Sequence, residues 1–401
     1  MSLTTRQLFL QSLAQTSSQP LALEVVSANG LELLGSNGEK WLDLISGISV
    51  SSVGHSNPDV LSAIHDQASK FMHLMVYGEL ALSPQVNFAN ALLDLLPASL
   101  NNCYFVNSGS EAIEGAMKLA KRFTGRSDMV AFNDAYHGST QGALSIIGSE
   151  YFRRSFRPLL PGVTHIDFDD EQQLGLINSQ TACVVMEMVR GEAGAVVPTA
   201  GFVKKVHDRC KHVGALFVVD EIQSGFYRTG PFMAFMDEGV EPDILVIGKA
   251  MGGGMPLGAF IASNKIMSSL MDHPVLGHIT TFGGHPVCCA AGSASLNVLS
   301  KIGTDRIAYL GQLFKSKLVH PQIKSVSGKG LLLGVDLGTE VFNRSVVNEC
   351  ISRGVLTDWF LFAPHKLRIA PPLIISEEQV DWACDVILES IDVVSSKSQL
   401  P

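Results

Sequence analysis

The stretch LFVVDEIQSGFYRTG (216–230), followed by DILVIGKAMGGGMPLGAFIA (243–262), decides how this chain is read. Each half is an apolar run of strand character that stops abruptly at a charged residue, Asp220 in the first and Lys249 in the second. A carboxylate and an amine on neighbouring strand ends, with glycines following, can hold an aldehyde cofactor. Working outward, short β-rich runs recur at CYFVN (103–107), MVAFN (129–133), THIDF (164–168), CVVMEMV (183–189), LFVVDEI (216–222), DILVIG (243–248) and GAFIAS (258–263). Helical periods such as EAIEGAMKLAKRF (111–123) and GFVKKVHDRCKHV (201–213) lie between them, the second stopped by Gly214. This alternation predicts an α/β fold with a mostly parallel sheet, and the continuous Val/Ile/Phe character of the runs predicts burial on both faces.

Gly38–Leu44 reads as the end of a small N-terminal sheet. From about residue 292 a long helical stretch is expected. It is followed by GLLLGVDL (330–337), a helix, GVLTD (354–358) and KLRIAPPL (366–373), an order that predicts a second α+β unit. With 401 residues, 46% of them hydrophobic and 17% charged, the chain is long and apolar enough for a large core in more than one domain. A net charge of −9, with no basic cluster longer than Lys121-Arg122 or Arg153-Arg154, argues against nucleic-acid or anionic-membrane partners. No apolar run approaches transmembrane length. The start, MSLTTRQLFLQSLAQTSSQ, has the Ser/Thr-rich, acid-free composition of a transit peptide. Its single Arg and lack of an apolar core favour a short amphipathic helix. Seven cysteines without a CxxC pair point to reduced thiols and a cytoplasmic setting, and twelve histidines without HExxH spacing give no support for a metal.

Several residues carry possible chemistry, and each also has an ordinary reading. Lys249, at the C-terminal edge of a parallel sheet, could bind an aldehyde through a desolvated amine, or be a surface lysine at a strand–loop junction. Asp220 could pair with a protonated pyridine nitrogen, or be a structural Asp bonded to backbone amides. Gln223 could donate to a ring oxygen. Asn107-Ser108-Gly109-Ser110-Glu111 joins a strand to a helix, which suits a phosphate cradle or a plain N-cap. Tyr136, beside His137, could stack on a planar ring. Arg368 could bind a substrate carboxylate in bidentate fashion, or serve a structural ion pair.

Together, DEIQSGFYRTG…GKAMGGGMPLGA, GEKWLDLISGISVSSVGH (38–55), the TFGG motif and LRIAPPL resemble the class III (ω-amino) pyridoxal-phosphate aminotransferases. That group contains ornithine, acetylornithine and 4-aminobutyrate aminotransferases. The resemblance spans nearly the whole chain. It implies fold type I, with residues 1–50 joining a small domain, 51–295 forming the large cofactor domain and 296–401 the C-terminal small domain. It also implies a homodimer with shared active sites. Carried over residue by residue, Lys249 corresponds to the lysine that holds the cofactor and moves protons, and Asp220 to the partner of the pyridinium nitrogen. Gln223 corresponds to the contact of the ring hydroxyl oxygen, while Ile222 and Tyr136, with His137 beside it, flank the ring. Ser108, Gly109 and Ser110 would hold the phosphate with Thr281 of the partner subunit. Arg368 would bind the substrate's α-carboxylate, and Glu192 corresponds to an acid that pairs with that arginine.

Two departures stand out. Met188 and Arg190 replace the usual Pro and Gln after Glu187, and Ser139 stands where many relatives have an arginine. Arg153, Arg154 and Tyr77 are the nearby candidates to take its place. The activity so implied is transfer of an amino group from an ornithine- or acetylornithine-like donor to a 2-oxo acid such as 2-oxoglutarate. Other ω-amino or 4-aminobutyrate donors, an aminomutase on the same scaffold, and a cofactor-binding scaffold without turnover are the alternatives.

Overall fold

The computed structural model describes residues 3–397. In chain order its strands are β1 (Val25–Asn29), β2 (Glu32–Gly35), β3 (Lys40–Asp43), β4 (Asn102–Val106), β5 (Asp128–Phe132), β6 (Val163–Ile166) and β7 (Thr181–Glu187). They continue with β8 (Leu216–Asp220), β9 (Ile244–Ile247), β10 (Gly258–Ala262), β11 (Ser325–Lys329), β12 (Leu332–Asp336), β13 (Val355–Leu356) and β14 (Lys366–Ile369). The central sheet has the order β4-β10-β9-β8-β7-β5-β6. Neighbours from β9 to β6 run parallel, and β10 is antiparallel to both of its neighbours. The α/β class with a mostly parallel sheet is therefore as expected.

The continuous apolar runs have a simple cause. Side chains alternate across a strand, and here both faces are covered. Val184 and Met186 of β7, with Phe217 and Val219 of β8, enter one hydrophobic core. Cys183, Val185, Leu216 and Val218 enter a second core on the opposite face. The helix Gly109–Thr124 covers that second face through Ile113, Ala116 and Ala120. Its Gly115 lets it lie close to the sheet, since a Cβ there would stand 2.2 Å from the Phe260 ring.

The N-terminal and C-terminal parts of the chain meet. β3 pairs in parallel with β13, Leu42 opposite Val355, to complete the sheet β1-β2-β3-β13. A third sheet, β11-β12-β14, carries Arg368 opposite Gly334. The long helical stretch expected from about 292 is instead two helices, Pro286–Leu299 and Thr304–Lys317. They are separated at Gly303, whose φ of +84° suits glycine. At the N-terminus a helix does form, Thr5–Ser12, closed by a Thr4/Gln7 capping box, but it buries none of its residues. Among the described residues no helix is long and apolar enough to cross a membrane, and no cluster of ligating side chains could hold a metal ion.

One buried cation ties the loop after β8 to the C-terminal part of the chain. The Arg228 guanidinium, 1% exposed, donates to the carbonyls of Leu331 and Pro371 and to Ser52 Oγ at 3.0 Å. Burial lowers its pKa to about 9. Arg228→Ala leaves those acceptors without their donor and opens a cavity, so it should cost about 3 kcal/mol. Urea unfolding checks this, and an unchanged midpoint would contradict the strut role.

Candidate active site

β7 and β8 are parallel and in register, so their last residues, Glu187 and Asp220, sit side by side at the C-terminal edge of the sheet. That edge is where open α/β sheets bind ligands. Asp220 is buried, and its two oxygens have separate partners. Oδ1 accepts the Ile222 N–H at 3.0 Å, and Oδ2 lies 2.7 Å from His137 Nδ1. Burial works against a charged imidazole at His137, but the hydrogen bond and charge of Asp220 outweigh it and raise the His137 pKa. Glu187 accepts the backbone N–H groups of Tyr136 and Gly191, each at 2.8 Å. Burial pushes its pKa up to about 7, against the opposing charge of His137. Glu187 thus anchors both loops that border Asp220. The sequence alone gives it no role. The pairing of β7 with β8 is the signal that would have found it.

These residues line a cavity of about 200 Å³ together with Ser108, Gly109, Ser110, Tyr136, Gly138, Ile222, Gln223 and Lys249. One side is the start of the helix Gly109–Thr124. Ser108 is its N-cap, with Oγ accepting the Glu111 N–H at 3.2 Å, and Glu111 in turn accepts the Asn107 N–H at 2.7 Å. The cap reading and the cradle reading are therefore compatible. The capping bond uses the third amide of the helix, while the first two, Gly109 and Ser110, have no carbonyl one turn back. Glycine at 109 is required by packing, because a Cβ would stand 2.8 Å from Ile222 Cδ1. Gly191 is likewise pressed against Gln223, where a Cβ would fall 1.8 Å from Oε1. Two buried nitrogens aimed into this region, Gln223 Nε2 and His137 Nε2, have no hydrogen-bond partner. Such atoms cost free energy unless a ligand satisfies them.

Lys249 enters from β9. Its φ of +49° is unusual for a residue with a side chain and marks local strain. Burial lowers the pKa of its amine, opposed by the charge of Glu192 and reinforced by that of Arg368. A less strongly protonated amine is a better nucleophile and proton carrier.

Arg368 and Glu192 form a buried bidentate pair, with both Nη–Oε distances 3.0 Å. Packing brings them together. A Cβ at Gly334, opposite Arg368, would stand 2.7 Å from the Gly194 carbonyl, so the small residue lets the 191–195 loop settle on the third sheet. Ser327 Oγ then donates to the same carbonyl at 2.6 Å. A third partner was not foreseen from sequence: Asp358 Oδ1 lies 2.8 Å from Arg368 Nε.

Other expected residues lie elsewhere. Thr281 is exposed on its loop and does not line this cavity. Tyr77 lines a separate hollow with Gln85, Val86 and Thr280. Ser139 sits at the rim, its N–H donating to Ser110 Oγ and its hydroxyl 3.1 Å from the Tyr136 hydroxyl. Neither arginine considered for the missing charge reaches the cavity. Arg153 is bound to Glu150, the Ser145 carbonyl and His165, and Arg154 stacks over Tyr151. Arg190 turns away over the Phe168 ring, 4.2 Å from its centroid, and Met188 belongs to the core.

Residues 13–391 match the family model Aminotransferase class-III. Acetylornithine aminotransferase of Mycobacterium bovis is 39% identical over 369 residues, covering 90% of this chain and 89% of the relative. That of Archaeoglobus fulgidus is 35% identical over 356 residues, covering 88% and 91%. Among solved structures, ornithine aminotransferase from Toxoplasma gondii superposes with a TM-score of 0.90 at 28% identity, covering 98% of this chain and 94% of that one. A family match across nearly the whole length, joined to a lysine and a paired aspartate at the carboxyl edge of this sheet, means that the chain belongs to the class III aminotransferases, with the fold type I architecture.

Proposed function

We propose that this protein is a pyridoxal-phosphate-dependent aminotransferase moving the terminal amine of an ornithine- or acetylornithine-like donor onto a 2-oxo acid, with 2-oxoglutarate the leading candidate. The observation that carries it is the meeting of Lys249, the Asp220–His137 pair and the amide end of the helix at Gly109 in one cavity. The relatives named above act on acetylornithine and ornithine, and the Toxoplasma gondii structure is described with pyridoxal phosphate at its active site.

The residues fit that cofactor. The unpartnered Gln223 Nε2 can donate to the ring hydroxyl oxygen, and the Gly109 and Ser110 amides with the Ser108 and Ser110 hydroxyls can hold a phosphate. Ile222 and Tyr136 would cover the ring faces, and Thr281 of the partner subunit would complete the phosphate site. When bound, pyridoxal phosphate supplies an aldehyde for the donor amine and a ring that takes up electrons from the donor carbon. Asp220, oriented by His137 and the Ile222 amide, keeps a proton on the ring nitrogen. Lys249 Nζ takes the proton from the donor carbon and returns it on the other side of the transfer. Arg368 receives a substrate α-carboxylate once Glu192 withdraws, and stays masked when the donor's terminal amine is in place.

The exposed Thr281, together with exposed Met72, Leu74, Met75 and Phe282, supports a homodimer sharing its active sites. We read residues 1–50 and 296–401 as the small domain and 51–295 as the large one, and the enzyme as cytoplasmic. A panel of ornithine, N-acetylornithine and 4-aminobutyrate against 2-oxoglutarate and pyruvate tests the reading. Ornithine or N-acetylornithine with 2-oxoglutarate should give the highest kcat/KM. Turnover of a donor without any external oxo acid would point to a mutase instead.

A further inference from the structure

Arg368 is held by two carboxylates, and the two are attached to the fold differently. Glu192 occupies the Nη1 and Nη2 edge at 3.0 Å on each arm. Asp358 Oδ1 forms an ion pair with Nε at 2.8 Å outside hydrogen-bond geometry, and the Trp359 carbonyl accepts from Nη2 at 2.8 Å. Arg368 is 2% exposed, so nothing else from solvent balances its charge. With the two-nitrogen edge of the guanidinium taken by Glu192 and a carboxylate already beside Nε, an incoming substrate carboxylate can bind in bidentate fashion only by displacing one of these acids.

The backbone decides which one. Asp358 lies on the same loop-and-strand unit as Arg368. Its carbonyl accepts the Arg368 N–H at 3.0 Å, Thr357 Oγ1 donates to the Arg368 carbonyl at 2.6 Å, and Trp359 bridges to Leu367. These bonds hold the Asp358 backbone beside Arg368, so its carboxylate stays tethered close to the guanidinium. Glu192 comes from the separate loop after β7. Its side chain is held otherwise by one backbone amide, that of Leu361, at 3.0 Å. Glu192 is therefore the partner free to part from the guanidinium, and the two-nitrogen edge it vacates is the one that matches a carboxylate.

We propose that Asp358 is a positioning residue and permanent counter-charge for Arg368, which allows Glu192 to be exchanged for the carboxylate of the oxo-acid acceptor. With Asp358 in place, withdrawal of Glu192 leaves a guanidinium that still has one carboxylate. Without it, withdrawal would leave a buried cation uncompensated, so Glu192 would stay and the acceptor would be shut out. Burial raises the Asp358 pKa to about 6, against the charge of Arg368, so the carboxylate remains ionised in an assay at pH 8.

The proposal rests on the aminotransferase reading above, and the test separates the two. In the pyridoxal-phosphate-loaded enzyme at pH 8, each half-reaction is followed by the cofactor's absorbance, with N-acetylornithine or ornithine as donor and 2-oxoglutarate as acceptor. Asp358→Asn should raise the acceptor KM about tenfold or more, while the donor half-reaction changes by no more than about threefold. Adding Glu192→Gln to Asp358→Asn removes the acid that has become too firmly held, and should bring the acceptor KM back to within about threefold of wild type. If Asp358→Asn does not fold, Asp358→Ser reads the same split. An acceptor KM that stays level or falls, equal losses in both half-reactions, or no rescue by Glu192→Gln would overturn the role of Asp358. No conversion of the wild-type enzyme by any donor would overturn the aminotransferase reading itself, and this proposal with it.

Discussion

Lys249→Ala should remove the visible absorbance of the lysine-bound cofactor and lower turnover by about 10⁴-fold or more, because in the function proposed above one amine serves as both covalent attachment and proton carrier. The surroundings leave no ready substitute. Lys249 alone supplies an amine to the cavity, which is otherwise lined by acids, amides, hydroxyls, a histidine and apolar groups. Its position is also specific. The lysine stands at a positive φ two residues after the end of β9, where burial lowers its pKa. The variant should still fold, since the strained backbone accepts Ala no worse than Lys. Far-UV circular dichroism would establish folding, and the absorbance spectrum with single-turnover rates would establish the loss. Retention of the visible band together with near-normal turnover would refute the assignment.

The second large effect is expected at Asp220. Asp220→Asn keeps the size of the side chain and one acceptor oxygen, but an amide cannot hold a proton on a pyridine nitrogen. The loss of kcat should be on the order of 10³-fold, in the range that follows removal of a buried group stabilising a developing charge. His137 should feel the change as well. Its pKa is raised by the hydrogen bond and charge of Asp220 despite burial, so in Asp220→Asn it falls and the ring remains neutral to lower pH. Nuclear magnetic resonance of the imidazole protons would follow this separately from activity. A kcat within tenfold of wild type would mean that the carboxylate's charge is not used in the reaction.

Much of this arrangement is legible in the chain. Strands of the central sheet appear as unbroken apolar runs because both faces are covered, and Asp220 and Lys249 stand out because a charge that ends such a run must have a partner. The helix start at Ser108–Glu111 is legible from capping chemistry, which is local. Asp358 is different. It stands in an ordinary loop, ten residues before Arg368, and only the fold-back of that loop onto β14 brings its carboxylate into an ion pair beside Nε. The break between the helices ending at Leu299 and beginning at Thr304 was missed for a related reason: the apolar period carries on across Gly303 while the backbone does not. The arginines weighed as replacements at Ser139 failed because proximity in sequence says nothing about the direction of a long side chain. Arg153 is drawn instead to Glu150 and His165.

The amino-acid sequence by itself determined the α/β class, the mostly parallel sheet and the two charged strand ends, because periodicity, β-branching and capping act over a few residues. Tertiary structure alone decided what those charges meet. His137 reaches Asp220 across 83 positions of chain, and Glu192 reaches Arg368 across 176. Partners that far apart are chosen by how sheets and loops pack, here by glycines at 109, 191 and 334 that let backbone and side chains close to contact. No local pattern records that choice, since the space a missing side chain leaves is visible only once the opposing element lies against it.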